Sequence, residues 1–299
     1  MNVIIVHGGA GRWPEDLLPA ARQGLKEALE QGGRILKRTA SSLESVLTAV
    51  RILEDNPLFN CGTGSALTID GQIQMDAAVM TSDGRFGAVG AIESVRHPID
   101  VAHKVMTETS HMVLAGAGAQ KLARLWGFPD YDPMTAKAGR QLAELKAKPG
   151  KAPWIPELRD YMRRLGSRDA AGPGDTVGAI ALDRYGRFAV ASSTGGVRGK
   201  LPGRVGDTPV YGAGTFAGRY GAVTGTGIGE ELVRLILCKT VCDLMAKHSA
   251  QKAVEIGLRR TRRVGLIAVD RRGRLGIGHT TMHMPWGCAR DGEVELGSG

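Results

Sequence analysis

The chain opens on Met1-Asn2-Val3-Ile4-Ile5-Val6-His7, whose unbroken run of β-branched apolar residues predicts a buried strand. A glycine loop follows, His7-Gly8-Gly9-Ala10-Gly11. Apolar positions then recur at helical spacing over 16–31. Ser41, with Glu44 three residues on, reads as a capping box. It would open a helix whose apolar face is Val46, Ala49, Val50 and Leu53, ending near Pro57. The period changes to that of strands over 66–69, 73–80 and 86–92, punctuated by Asp70-Gly71 and Ser82-Asp83-Gly84. Helical spacing returns over 99–106 and 117–125.

Residues from about 130 to 175 break this rhythm. They are basic, carry Pro133, Pro149, Pro153, Pro156 and Pro173, and show little apolar periodicity, which predicts a flexible linker. Beyond it, strands over 176–183 and 187–194 are joined by Arg184-Tyr185-Gly186 as a hairpin. One long helix is predicted over 230–246, another over 249–259, and strands over 264–269 and 275–280. Each half is strand-rich at its centre and helical at its flanks. That order predicts an α+β fold of two packed sheets covered by helices, not a doubly wound parallel sheet.

Composition narrows the class. A chain of 299 residues can bury a large core, and 42% hydrophobic with 5% aromatic residues makes that core aliphatic. No apolar run is long enough to span a bilayer, and the first residues lack a charged leader, so a cytoplasmic protein without a membrane partner is expected. The net charge of +9 comes largely from Lys137–Arg168 and Arg259–Arg274. Neither cluster comes with base-stacking aromatics or a nucleic-acid-binding module, so both read as solvated surface and no nucleic acid is expected as partner. Cys238 and Cys242 share a helical face as core residues, and Cys61 and Cys288 stand alone, which suits a reducing compartment. The loop Gly212-Ala213-Gly214-Thr215-Phe216-Ala217-Gly218 has the wrong glycine spacing for a dinucleotide and no helix after it. None of the seven histidines has metal-ligand spacing.

The chemistry concentrates around Pro173-Gly174-Asp175-Thr176-Val177-Gly178. A threonine hydroxyl is a weak nucleophile without an adjacent base. Its own α-amine can serve, provided the chain is cut at that bond. By itself, Gly-Asp-Thr reads far more readily as a turn entering a strand. Downstream lie Ser193-Thr194-Gly195-Gly196, Lys200-Leu201-Pro202-Gly203-Arg204-Val205-Gly206-Asp207 and Thr224-Gly225-Thr226-Gly227-Ile228-Gly229-Glu230. Each alone has an ordinary reading as a turn, a loop or the start of a helix.

Together, and with His7-Gly8-Gly9-Ala10-Gly11, the stretch from Leu58 to Gly64, Met75-Asp76-Ala77 and Gly87-Ala88-Val89-Gly90-Ala91, these motifs resemble the plant-type asparaginase and isoaspartyl peptidase family of N-terminal nucleophile hydrolases. The resemblance implies a four-layer αββα sandwich over 1–299, self-cleaved between Asp175 and Thr176 into subunits 1–175 and 176–299, which pair as a dimer of αβ units. It implies hydrolysis of the L-asparagine side-chain amide and of β-aspartyl dipeptides. By the same likeness Thr176 is the nucleophile, Thr194 its hydrogen-bonding partner, and Thr226 with Gly227 the oxyanion hole. Arg204 grips the substrate carboxylate, Asp207 and Gly229 its ammonium, and Asn60 lies nearby. No cofactor is required, but a structural sodium ion is implied on the loop carrying Leu53, Glu54, Asn56, Phe59, Cys61 and Thr63, chiefly through backbone carbonyls.

Two features depart from the pattern. Asp175 ahead of the nucleophile is shared with glycosylasparaginases, and residues 280–288 lack the family's usual Asn-Thr. A glycosylasparaginase thus stays open as an alternative, as does a homologue that never cuts itself and serves as a binding protein. An occupied set of catalytic positions weighs against the second.

Overall fold

Strand β1 (Val3–His7) is buried along its whole length, and its side chains alternate between two cores. Ile4 and Val6 join one hydrophobic cluster and Val3 and Ile5 the other. β5 (Val177–Leu182) repeats the alternation, with Val177, Ala179 and Ala181 on one side and Ile180 and Leu182 on the other. A continuous apolar run is what such a doubly covered strand requires. The computed structural model describes residues 1–147 and 176–298. The predicted linker beyond residue 147, with Asp175 at its end, lies outside the described residues.

Among these, eight strands form one sheet in the order β12-β11-β1-β5-β6-β2-β3-β4. They comprise β1, β2 (Met75–Thr81), β3 (Phe86–Ile92), β4 (Val113–Ala115), β5, β6 (Phe188–Thr194), β11 (Trp286–Arg290) and β12 (Glu293–Gly297). All pair antiparallel except β3 with β4. A second, four-stranded sheet runs β10-β9-β8-β7, from β7 (Thr215–Gly218), β8 (Gly221–Gly227), β9 (Val264–Asp270) and β10 (Leu275–His279). Strands β5 and β6 of the first sheet pack on β8 of the second.

Helices α1 (Leu18–Thr39), α2 (Ser42–Asp55) and α3 (Pro98–Glu108) cover the first sheet. Leu25, Leu29, Leu47 and Leu53 are fully buried beneath them, each worth about 2 kcal/mol relative to exposure. Helices α4 (Gly116–Leu125) and α5 (Ala136–Ala147) follow, the latter inside the stretch read as linker. On the second sheet lie α6 (Gly229–Leu235), α7 (Leu237–Leu244) and α8 (Ala250–Leu258). No helix among the described residues is long and apolar enough to cross a membrane.

Several expectations are corrected. The helix predicted over 230–246 is two helices, broken at Ile236, whose φ of 44° is left-handed. The break frees the Cys238 and Lys239 N–H groups to donate to Ala213 and Gly212, a tertiary demand invisible to local periodicity. Residues 66–69 form no strand; Thr68 makes one isolated bridge to Lys200. The capping box is half formed. Ser41 Oγ accepts Glu44 N–H at 3.2 Å, but the Ser41 N–H is taken by Thr39 Oγ1. Strands β4, β7, β8, β11 and β12 had no prediction, because glycine-rich or short segments carry little period.

Candidate active site

Strand register brings the predicted residues to one end of the sheets. Thr176 directly precedes β5, and Val177 pairs with Ser193, so the ladder sets Thr176 level with Thr194 at the end of β6. Thr194 pairs in turn with Asp76 on β2, and His7 at the end of β1 pairs with Gly178. All three predicted catalytic threonines are buried: Thr176 is 5% exposed, Thr194 2% and Thr226 0%.

Two of these hydroxyls are oriented by backbone donors. Gly196 N–H donates to Thr194 Oγ at 2.9 Å, and Ala10 N–H, from the first glycine loop, donates to Thr226 Oγ at 3.1 Å. Each oxygen thus accepts a bond and keeps its own proton to give elsewhere. Gly227 follows Thr226 with φ of 116°, and a Cβ there would sit 2.1 Å from the Arg263 carbonyl oxygen. Only glycine fits. Asn60 brackets the turn after Thr194: its side-chain amide donates to Gly196 O at 2.6 Å and accepts from Ala66 N–H at 2.8 Å, while its backbone carbonyl accepts Gly195 N–H at 2.9 Å.

Arg204, Asp207 and Gly229 also converge. A Cβ on Gly229 would lie 2.8 Å from Asp207 Oδ1 and 3.0 Å from Arg204 Nη2, so a side chain there would fill the space before both. Asp207 is 3% exposed and its Oδ2 has no hydrogen-bond partner. Burial pushes its carboxyl up to about 7, with Arg204 pulling the other way. Arg204, its side chain 17% exposed, is held by Glu230 at 3.0 Å. Burial opposes the Glu230 carboxylate, but Arg204 outweighs it and keeps Glu230 below its ordinary range.

The structure adds His7 and Lys200, which had no assigned role, and gives Glu54, named only for the ion loop, a place under the site. His7 is fully buried, neither ring nitrogen has a regular hydrogen-bond partner, and burial pushes it down to about 3, against the Thr176 backbone beside it. It is neutral. The Glu54 side chain lies beneath β6 beside Ser193 and accepts Ile99 N–H at 3.1 Å; burial raises it well above the usual carboxylate range. Lys200 is 0% exposed, and burial takes its ammonium down to about 8. The only sequence signal for Lys200 was its place in the glycine- and proline-bearing loop.

The predicted ion loop folds back on itself. Leu53 O accepts Asn56 N–H and Cys61 S–H, Asn56 O accepts Phe59 N–H, and Cys61 O accepts Gly64 N–H. A Cβ on Gly62 would meet Glu54 O, and one on Gly64 would meet Phe59 O. The Thr63 hydroxyl bonds the Tyr131 hydroxyl. The carbonyls of Leu53, Asn56 and Cys61 are thus taken up by hydrogen bonds within the loop, while those of Glu54 and Phe59 lie against Gly62 and Gly64.

A family model described as asparaginase matches residues 1–297. The plant-type L-asparaginase of Pyrococcus abyssi is 43% identical, with all of both chains covered. That of Thermococcus kodakarensis is 41% identical over the same full coverage. An isoaspartyl peptidase/L-asparaginase of Danio rerio is 36% identical across 99% of this chain and 95% of its own. The chain belongs to the asparaginase family.

Proposed function

We propose that this chain cuts itself between Asp175 and Thr176, then hydrolyses the side-chain amide of L-asparagine and the isopeptide bond of β-aspartyl dipeptides. The observation that carries the reading is the ladder register. It sets Thr176 beside Thr194 at the sheet end where Arg204 Nη2 and Asp207 Oδ1 face the same space in front of Gly229. The names of the relatives agree with the two substrate classes.

In the first step Thr176 Oγ attacks the Asp175 carbonyl carbon. The peptide C–N bond breaks, the nitrogen takes the hydroxyl proton as it becomes the α-amine, and water opens the ester. That amine, with a reference pKa of about 7.7–8.0, is then the base for catalysis. It accepts the Thr176 hydroxyl proton as Oγ attacks the substrate amide carbon. The Thr226 hydroxyl, whose oxygen is already held by Ala10 N–H, donates its proton toward the developing oxyanion together with Gly227 N–H. The leaving nitrogen takes the proton back from the amine, ammonia or the amino product departs, and water hydrolyses the acyl-enzyme by the same proton path. Arg204 binds the substrate α-carboxylate through its planar fork, and Asp207 Oδ1, which faces Gly229, receives the ammonium.

The stacking of α2 on β5 and β6, of those strands on β8, and of α7 on β8 supports a four-layer αββα sandwich for the whole chain. Edge strand β4, with Met112 and Val113 exposed, supports pairing of two αβ units. The carbonyls of Leu53, Glu54, Asn56, Phe59, Cys61 and Thr63 would hold a sodium ion that fixes the loop.

Thr176→Ala tests the reading. The variant should stay one chain by denaturing gel and intact mass, and should release no ammonia from L-asparagine. Wild-type protein should show a fragment beginning at Thr176. Full activity from an uncut wild-type chain would overturn it.

A further inference from the structure

The Lys200–Asp207 loop carries both charges of the substrate grip, yet neither charge anchors it to the first sheet. Its anchors are other groups. Lys200 Nζ donates to Gln74 O at 2.5 Å, Gly203 N–H to Gln74 Oε1 at 2.7 Å, and Gly206 N–H to Asp76 Oδ2 at 2.8 Å. Asp76 Oδ1 accepts Ala91 N–H at 2.8 Å, so this fully buried carboxylate has both oxygens bonded. Gly206 lies between Arg204 and Asp207, and a Cβ on it would be 3.0 Å from Arg204 Nη1. Asp76 also stands opposite Thr194 in the β2–β6 ladder. One short segment, Gln74–Asp76, therefore touches both the loop of the grip and the strand bearing the nucleophile's partner.

Lys200 completes the arrangement. Its Nζ and Arg204 Nη1 would lie 2.9 Å and 3.3 Å from a Cβ on Gly196, in the turn that orients Thr194. Burying an ammonium is costly without a nearby counter-charge. Asp76 supplies one, opposing the loss of the Lys200 proton that burial favours.

We infer that Gln74, Asp76 and Lys200 are positioning residues that hold the loop of the substrate grip in its binding geometry. This rests on Arg204 and Asp207 being the grip. Gln74 and Asp76 precede the cleavage point and the loop follows it. Two of the three residues that place the grip, Gln74 and Asp76, therefore belong to one subunit of the cut enzyme, and Lys200 and the grip itself to the other.

Steady-state kinetics of the processed enzyme on L-asparagine test this, with Gln74→Met, Asp76→Asn and Lys200→Met. Gln74→Met leaves the Gly203 N–H without its acceptor, and Asp76→Asn turns an N–H₂ toward one of two backbone donors. Each loosens the grip without touching the reacting atoms, so KM should rise about ten-fold or more while kcat stays within about three-fold. A purely structural role would instead lower the processed fraction or the melting temperature and leave KM unchanged. Arg204→Lys is the reference. If it leaves KM unchanged, the grip itself has been misassigned. If it raises KM while the Gln74, Asp76 and Lys200 variants keep the wild-type value, the positioning inference is overturned. Gln74 is only partly buried, so its variant retains the test should Asp76→Asn fail to fold.

Discussion

Asp207, at the site end of the sheets, is treated unlike the buried aspartates at the turn end. At the turn end, Asp183-Arg184-Tyr185-Gly186-Arg187 closes the β5–β6 hairpin in one sheet and Asp270-Arg271-Arg272-Gly273-Arg274 closes β9–β10 in the other. In both, Asp Oδ1 accepts two backbone N–H groups, two and four residues on, and Oδ2 accepts the arginine Nε at 2.8 or 2.7 Å. Those side chains are 0% and 3% exposed. Asp207, at the other end, is as deeply buried but has an oxygen with no partner. His7 and Ser193 leave buried polar atoms unpaired at that end too. Burial alone does not mark a site. A buried charge without a partner does, because folding does not tolerate it cheaply unless a ligand completes it.

If that contrast is right, removing the Asp207 charge should have the largest effect. Asp207→Asn leaves the substrate ammonium without its counter-charge, and kcat/KM should fall about 10³-fold, consistent with truncating one partner of a buried charge pair. Unchanged kcat/KM would make Asp207 one more structural aspartate.

The acid limb of the pH profile sharpens the same point. With its carboxyl at about 7, Asp207 in the free enzyme gains its charge as pH rises toward neutrality. Between pH 5 and 7 this group should add up to about ten-fold per unit to the rise of kcat/KM, on top of the rise through about 8 as the Thr176 amine loses its proton, and only the Asp207 share should be missing from kcat at saturating substrate. The stability effect has the opposite sign. The folded value lies above that of the unfolded chain, about 3.9, so the folded state holds a proton that the unfolded state releases. The Asp207 contribution to stability is therefore full below about pH 4 and is lost as pH rises through 7. Asp207→Asn should remove both slopes, read by kinetics and by denaturant titration across pH.

The family resemblance, not spacing, marked the candidates at this end, because Thr176, Thr194, Arg204, Asp207, Thr226 and Gly229 all fall in its short motifs, and the structure brings Thr176 level with Thr194 and Arg204 close to Asp207 and Gly229. What the sequence hid were groups whose partners are backbone atoms far along the chain. Lys200 reaches the Gln74 carbonyl across 126 residues, and no periodicity records such a bond. Strands β7 and β8 escaped because Gly218, Gly221, Gly225 and Gly227 read as loop, although glycine is what their close packing needs; a Cβ on Gly225 would sit 2.2 Å from Leu232. The helix break at Ile236 was unreadable for a similar reason, since the 212–213 turn imposes it.

At the turn end, Asp183→Ala and Asp270→Ala should each cost about 2 kcal/mol. Each removes three hydrogen bonds, but the freed N–H groups sit in exposed turns that water can reach. The sites lie in different sheets, so the double variant should lose the sum, with kcat unchanged. Denaturant midpoints check this. A drop in kcat comparable to that of an active-site variant would erase the distinction between the two ends.

The smallest effect tests local satisfaction in its simplest form. Ser41 caps α2 by accepting Glu44 N–H, and Ser41→Ala should cost about 1 kcal/mol. In a complete capping box, Glu44→Ala would cost a similar amount by freeing the Ser41 N–H. Here Thr39 Oγ1 already satisfies that N–H, so Glu44 retains only its favourable place in the first helical turn. Glu44→Ala should therefore shift stability by only about 0.3 kcal/mol, within the range of a helix-dipole contact. Equal losses from the two variants would show that Glu44, not Thr39, holds the Ser41 backbone in solution.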